Sequence, residues 1–373
     1  MTTNLRPTLL IIGYYHLADG FRACANFLRR DYDIFFFPLS HYRDHQYDIK
    51  TDLIRYVKGE CCSHYECGMQ EHQPPMDIVL FWNFRYFIES HEGLDVLVQM
   101  KSVITRPTVY LGYNWDPIPP LEDPEQSGDF RIPWIQLLNG YLTCDGCEIR
   151  YLRDKGYYNY VYCPPGFDPA ITYYISDPLH ACDVSIVCTN LYADYTHFIR
   201  KMVRVHRKEL VDLLYAHREE LNFHIYGPPQ LNQLYPACYR GLITYEECPQ
   251  VFSNSKINLC IHATSYNNYQ KYLYYSERLP QILGARGLAY CETEYDGLLI
   301  PGVHYVLADA TDPLGQIKEI IRTYDFPKYR TIREKGYELA QKSLTWDTMR
   351  QKINLITHMG HTVSTSSQPK HRR

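Results

Sequence analysis

The sequence predicts an α/β protein built from two Rossmann-like, doubly wound parallel-sheet domains facing a central cleft. Three observations predict it. Short apolar runs closed by glycine or a polar residue alternate with helix-spaced apolar residues, which is the pattern of βαβ units. The alternation breaks once, at Pro164-Pro165-Gly166-Phe167-Asp168-Pro169 and on to Pro178, and then restarts; proline and glycine at that density mark a linker. The chain has 373 residues, 45% of them hydrophobic, enough for two domains each with its own core.

In the first half, Thr8 to Ile12 is an unbroken apolar run closed by Gly13, as a strand covered on both faces requires. Phe21, Cys24, Ala25 and Leu28 follow at helical spacing. Ile34–Phe37, Asp77–Trp82, Thr108–Gly112 and Gly140–Thr143 read as further strands, then a helix over Glu148–Asp154 and a strand at Tyr160–Cys163. In the second half, strands fall at Asp183–Cys188, Asn222–Tyr226 and Lys256–Ile261. Ile199, Met202, Val203, Leu210, Leu213 and Leu214 mark one or two helices, and Cys248–Ser253 a short one. Ser276–Ala285 is a helix with Ser276 as N-cap and Gly287 beyond its end. Strands at Leu288–Cys291 and His304–Leu307 and helices at Leu314–Thr323, Tyr329–Ser343 and Asp347–His358 complete the chain. The divisions are 1–168, 169–345, a closing helix at 346–358, and a disordered tail at 359–373.

Composition narrows the function. A net charge of −4 gives no global electrostatic case for nucleic acid, so none is expected as a partner. No apolar stretch reaches the roughly 20 residues of a membrane helix, and the start lacks a signal peptide's pattern. Thirteen cysteines, an odd number, fit reduced thiols of the cytoplasm. Cys61, Cys62, His64, Cys67 and His72 crowd one stretch and Cys144-Asp145-Gly146-Cys147 is a single C-x-x-C, neither with clean zinc-finger spacing. The 36 tyrosines suit sugar stacking, and equally a compositional bias of the source. Asp31-Tyr32-Asp33 is the one D-x-D, placed at the wrong end of a parallel strand for a ligand cleft. No metal or cofactor is therefore expected.

The most specific stretch runs from Phe223 to Pro301. It holds Ile225-Tyr226-Gly227, Tyr245-Glu246-Glu247-Cys248-Pro249, Ser255-Lys256-Ile257-Asn258-Leu259, and Arg278-Leu279-Pro280-Gln281 before Arg286-Gly287. Upstream lie Asn114-Trp115-Asp116-Pro117 and the proline-rich linker. This ordered series resembles the spore-maturation-protein-like (CgeB-type) glycosyltransferases of the GT-B fold, over roughly Gly140 to Leu355 and most clearly from Phe223 to Val306. The resemblance implies an acceptor-side first half, a nucleotide-sugar donor side in the second, and transfer of a sugar from a nucleotide diphosphate to an unidentified acceptor. Where that family has Arg-x-x-Glu, this chain has Gln281, and where it has glycine, Arg286. The family's carboxylate accepts hydrogen bonds from the donor ribose; an amide accepts through its oxygen without the charge.

Tyr226, Gly227, Ile243, His262, Ser276, Arg278 and Gln281 are the expected donor-binding residues. Arg278 falls in the first turn of its helix, where a cation is unfavourable. It points to an anionic partner, either a diphosphate or the neighbouring Glu277. His262 closes its strand as a donor contact or as a structural histidine. Arg200, Lys201 and Arg204 read as a solvated helix face or a reach toward phosphate. The expected bases for the acceptor hydroxyl are His16, Asp19 and Asp116, although Asp19 also fits a helix cap and Asp116 a turn at Pro117. The other readings are a catalytically inactive nucleotide- or sugar-binding protein and a nucleotide-sugar epimerase of the same architecture.

Overall fold

The computed structural model describes residues 6–13, 20–39, 48–60, 76–82, 91–114, 131–144, 146–189, 191, 206–261, 275–295 and 297–364. It divides into two compact units: Met1–His16 with Ala25–Cys163 and Met349–Arg373, and Leu17–Cys24 with Pro164–Thr348.

The first unit is a parallel sheet of strands β1 (Thr8–Gly13), β2 (Asp33–Pro38), β3 (Ile78–Trp82), β4 (Val109–Asn114), β5 (Gly140–Thr143) and β6 (Tyr160–Tyr162). Their order is β2-β1-β3-β4-β5-β6. Between them run α1 (Phe21–Leu28), whose residues Phe21–Cys24 group with the second unit, α2 (Ile49–Val57), α3 (His91–Val103), α4 (Arg131–Leu137) and α5 (Gly146–Asp154). β1, β3, β4 and β5 are buried along their whole lengths, which is why they read as apolar runs without alternation. Aromatic edges lock strands to helices: Phe81 meets Trp134 with centroids 5.6 Å apart and Phe37 meets Tyr56 at 5.3 Å.

The second unit has a short 3-10 turn (Pro178–His180), then β7 (Cys182–Val187), α6 (Arg207–Ala216), β8 (Phe223–Tyr226), α7 (Gln230–Leu234), β9 (Tyr239–Gly241), α8 (Cys248–Asn254) and β10 (Ser255–Leu259). α9 (Arg278–Gly284), β11 (Ala289–Cys291), β12 (Val306–Leu307), α10 (Pro313–Arg322) and α11 (Pro327–Ser343) follow. All its strand pairs are parallel, in the order β12-β11-β10-β7-β8-β9. Two parallel-sheet α/β units are thus present, as the alternation of apolar runs required.

Local chemistry sets the boundaries. Glu247 reaches back to accept from both the amide nitrogen and the hydroxyl of Thr244, at 2.7 and 3.0 Å, and its own amide donates to the Thr244 carbonyl at 3.2 Å, which closes the turn ahead of α8. Asp312 caps α10 by accepting from the Gly315 amide at 2.8 Å. Ser276 is not the N-cap of α9. Glu277 occupies that place, and the Ser276 hydroxyl receives the Arg278 amide at 3.4 Å from outside the helix. The last helix, α12 (Asp347–Ser364), runs six residues past the expected end at His358. Within the first unit it is tied down by Asp31, whose carboxylate accepts from Asn354 at 2.7 Å and from Arg350. The Asn354 hydrogen bond, ahead of the Arg350 charge, holds that carboxyl below its ordinary range. The D-x-D motif thus has a structural task. No described helix is long and apolar enough to cross a membrane.

The end of α9 carries an unusual residue. Gly287 donates to the Ile282 carbonyl at 2.8 Å and Arg286 to that of Leu283 at 3.0 Å, the paired bonds of a Schellman ending. That ending needs a left-handed residue, and Arg286 supplies it at φ 58°. Its guanidinium stacks 4.3 Å from the Tyr337 ring centroid. Left-handed backbone costs a residue with a Cβ about 1–2 kcal/mol, while an exposed cation–π contact returns about 0.5–1 kcal/mol. Arg286→Ala keeps the strain and loses the stacking; Arg286→Gly loses both. Thermal unfolding is expected to find the glycine variant more stable than the alanine variant by about 1 kcal/mol, a midpoint difference of about 2–4 °C.

Candidate functional site

In the second unit the chain crosses from β7 to β8 on one side, and later strands add on the other through β10. The carboxyl ends of β7 and β10 therefore meet at a topological switch point, where open α/β sheets take their ligands. Two arginines occupy this edge. Arg278, first residue of α9, donates from Nη1 to the Val187 carbonyl and from Nη2 to the Ile261 carbonyl, both at 3.0 Å, and from Nε to the Ser276 hydroxyl at 3.3 Å. Arg207, first residue of α6, donates from Nε to the same Ile261 carbonyl at 2.7 Å.

Each arginine opens a helix, the end at which a cation is disfavoured. Arg207 is also 7% exposed. Burial first, and the Arg278 charge second, push its guanidinium down to about 10, which leaves it charged at neutral pH. The carboxylate of Glu292, 2% exposed and just past β11, pulls the other way. Charged donors bonded to carbonyls contribute about 1.5–3 kcal/mol each, which holds the pair in place. They do not neutralise it. Two guanidiniums gathered at a switch point, with the Glu292 carboxylate acting on one of them, make this edge the candidate site for an anionic ligand.

The expected donor-binding residues are distributed around this pair. Gly227 follows β8 at close quarters with β7: a Cβ there would stand 2.1 Å from the Cys188 carbonyl oxygen, so only glycine fits. Ile243 lies half-buried on the connection from β9 to α8. Gln281 is 3% exposed, one turn into α9. Its amide faces the buried Tyr245 hydroxyl, which burial and then the Glu277 charge push well above its ordinary value. Tyr226 turns its hydroxyl toward His180 Nδ1 at 3.0 Å and His224 Nδ1 at 3.3 Å. His262, His16, Asp19 and Asp116 lie outside the described residues, as do Arg200, Lys201, Arg204 and the Cys61–His72 stretch. Cys144 is buried and in no disulfide. Arg207 was missed by sequence reasoning. Its signal was the one that pointed to Arg278, a cation opening an amphipathic helix after a buried strand, and it lies three residues beyond Arg204.

Residues 200–354, less than half of the chain, match the family described as glycosyl transferase-like. No curated protein sequence matches the chain. Among solved structures, an alpha-glucosyltransferase in complex with UDP and a 13-mer DNA containing an HMU base superposes over 95% of this chain and 100% of its own, with a TM-score of 0.59 at 10% identity. A glycosyltransferase from Rickettsia africae ESF-5 covers 95% and 98%, with a TM-score of 0.57 at 9% identity. TarM is similar over 75% of this chain, which spans only 54% of TarM's length, with a TM-score of 0.50 at 9% identity. The architecture is that of GT-B glycosyltransferases. One expectation falls with this finding, the exclusion of nucleic acid. A protein of this fold is found in complex with DNA, and a net charge of −4 averages over a surface on which local patches decide binding.

The Tyr226 cluster gives a pH prediction. Burial first, then the Arg240 and His180 charges, push His224 down to about 4 from an unfolded value near 6.5. Asp177 lies 3.6 Å from the far nitrogen of His180, and Cys182 also faces the tyrosine. A base whose folded value is depressed leaves stability intact above its unfolded value and removes it as pH falls toward the folded one. Between pH 6.5 and 4 the wild type is expected to lose up to about 3 kcal/mol through this group. Denaturant unfolding of His224→Gln should show a shallower loss over the same window.

Proposed function

We propose that this chain is a glycosyltransferase taking its sugar from a nucleoside-diphosphate donor, with Arg207 and Arg278 holding the diphosphate. The observation that carries the reading is the arginine pair at the switch point between β7 and β10. Breaking the bond from the anomeric carbon to phosphate oxygen leaves negative charge on the diphosphate. Fixed guanidiniums lower the barrier because they bind that charge more strongly as it develops. A guanidinium has five N–H donors, and Val187, Ile261 and Ser276 take three of Arg278's among the described residues.

In this reading Gly227, Ile243, Ser276, Gln281 and His262 line the nucleotide and sugar side, and Tyr226 contributes its ring. The acceptor oxygen bonds to the anomeric carbon while its proton passes to a base, for which His16, Asp19 and Asp116 are the proposed residues. No metal is needed: the arginines supply the positive charge, and the Asp31 carboxylate of the D-x-D is engaged by Asn354 and Arg350. The ordered segments from Phe223 to Val306 support the finer kinship with the CgeB-type branch. A reducing, cytoplasmic setting belongs to the same proposal, on nine cysteines among the described residues that are buried and in no disulfide. The acceptor class stays open to glycans, proteins, small molecules and DNA, the last because one structural relative is described with it.

The test is thermal unfolding of the purified chain against nucleoside diphosphates and their sugars, beginning with UDP and UDP-glucose. One nucleotide is expected to stabilise preferentially, by about 2.7 kcal/mol at a hundredfold excess over its Kd. Arg207→Ala and Arg278→Ala should each weaken it at least tenfold, the effect of about 1.5 kcal/mol from one lost charge-assisted contact. Product formation from that donor across an acceptor panel, including DNA with an HMU base, then separates transfer from passive binding or epimerisation. No response to any nucleotide at millimolar concentration overturns the proposal.

A further inference from the structure

We infer that Glu277 is a positioning residue of the donor site, its carboxylate holding the Gly20 turn against the start of α9. This rests on the reading given under Proposed function. The space in which a Cβ on Gly20 would stand is filled by Glu277: Oε1 lies 1.6 Å and Cδ 2.8 Å from that point, with Trp346 Cζ2 at 3.2 Å. No other residue type fits at position 20 while the carboxylate is there.

The surroundings report the same carboxylate independently. Its charge raises both the buried Tyr245 hydroxyl and the buried Cys248 thiol, second only to burial in each case. Gln281 stands on the next turn of α9, its amide 3.5 Å from the Glu277 carbonyl. The carboxylate thus sits in a niche beside Gly20, Tyr245, Cys248 and Trp346.

The Gly20 turn opens α1, whose first turn contains no acidic residue. A carboxylate from outside the helix supplies the charge favoured at that end. A second tie reinforces it, Arg22 to Glu246 at 3.3 Å. Two glutamates flanking α8 and α9 therefore grip the entrance of α1 at adjacent positions. Glu277 is bonded in sequence to Arg278, whose guanidinium is fixed on Val187 and Ile261. The linkage runs Gly20, Glu277, Arg278, then the carboxyl ends of β7 and β10. It ties the Gly20 turn to the first turn of α9, which carries Arg278. A guanidinium that steadies the leaving diphosphate must keep its place, and a misplacement of 1 Å costs on the order of a hundredfold in rate.

The experiment uses Glu277→Gln, Gly20→Ala and the pair Gly20→Ala with Glu277→Ala in the full chain. It measures thermal midpoint, Kd for the nucleoside diphosphate, and turnover of the matching nucleotide-sugar. Glu277→Gln keeps shape and removes charge. It is expected to fold, to bind the diphosphate within threefold of wild type or more tightly because a negative charge beside Arg278 is gone, and to lose at least tenfold in kcat. Gly20→Ala should lower the midpoint through collision with the carboxylate. Removing that carboxylate in the double variant should restore the midpoint and leave turnover low. Wild-type turnover in Glu277→Gln or in the double variant overturns the inference, since the contact would then be packing alone. An unchanged midpoint in Gly20→Ala also overturns it, because the collision would be absent. A wild type that binds no nucleotide is a different failure, of the function itself, and is read before any variant is compared.

Discussion

The second unit depends on a divergence at one strand. β7 has β8 on one side and β10 on the other, so the chain leaves its carboxyl end in two directions and cannot cover the edge between them. The carbonyls of Val187 and Ile261 are left facing that gap, and buried carbonyls need donors. Arg207 and Arg278 supply them from helices that start there. The solution closes the backbone and concentrates charge with the same atoms. Apolar residues of similar volume at these two places would avoid the desolvation cost of buried guanidiniums, so stability alone does not account for the choice. The proposed diphosphate would give them a further task, beside the buried Glu292 carboxylate that already acts on Arg207.

The architecture was legible because buried parallel strands leave unbroken apolar runs. Leu9 to Ile12, Val79 to Trp82 and Gly140 to Thr143 are covered on both faces, and each reads as a strand without any periodicity argument. β9 escaped for the opposite reason. Tyr239-Arg240-Gly241 is three residues at the sheet margin with an exposed arginine, so it carries no apolar run. α2 was passed over although Ile49, Leu53, Tyr56 and Val57 fall at helical spacing and Asp48 caps its start by accepting from the Thr51 amide at 3.1 Å. At the site, Arg278 was legible from its place in a helix's first turn. Arg207 has the same signature, but its burial is a tertiary fact, contributed by β10 and β7 through Ile261 and Cys188. Tyr226 shows the limit of reading a strand end as a ligand contact: its ring position follows from the strand, and its hydroxyl direction follows from His180, which arrives from another segment.

The two departures from the glycosyltransferase pattern have different physical status. Arg286 is a local compromise, a strained backbone offset by stacking on Tyr337. Gln281 is a question of charge. A glutamate there would place a second carboxylate one helical turn from Glu277, inside a niche closed by Tyr245 and Trp346. Like charges so enclosed raise each other's pKa and force one to take up a proton. The amide keeps an acceptor oxygen beside Tyr245 without adding that second charge.

The buried thiols have a consequence for how this molecule opens. Cys163 is pushed up to about 11 and Cys182 to about 12 by burial, and Cys188, Cys238, Cys248 and Cys291 are raised as well. A thiol held protonated and out of solvent does not react with alkylating reagents until its surroundings part. The chain therefore carries natural clocks in separate places: Cys163 after β6, Cys248 at the start of α8, and Cys188 beside the two guanidiniums. Their separate labelling rates resolve fluctuations region by region, and a ligand that bridges the guanidiniums would slow the Cys188 clock while leaving that of Cys163 running.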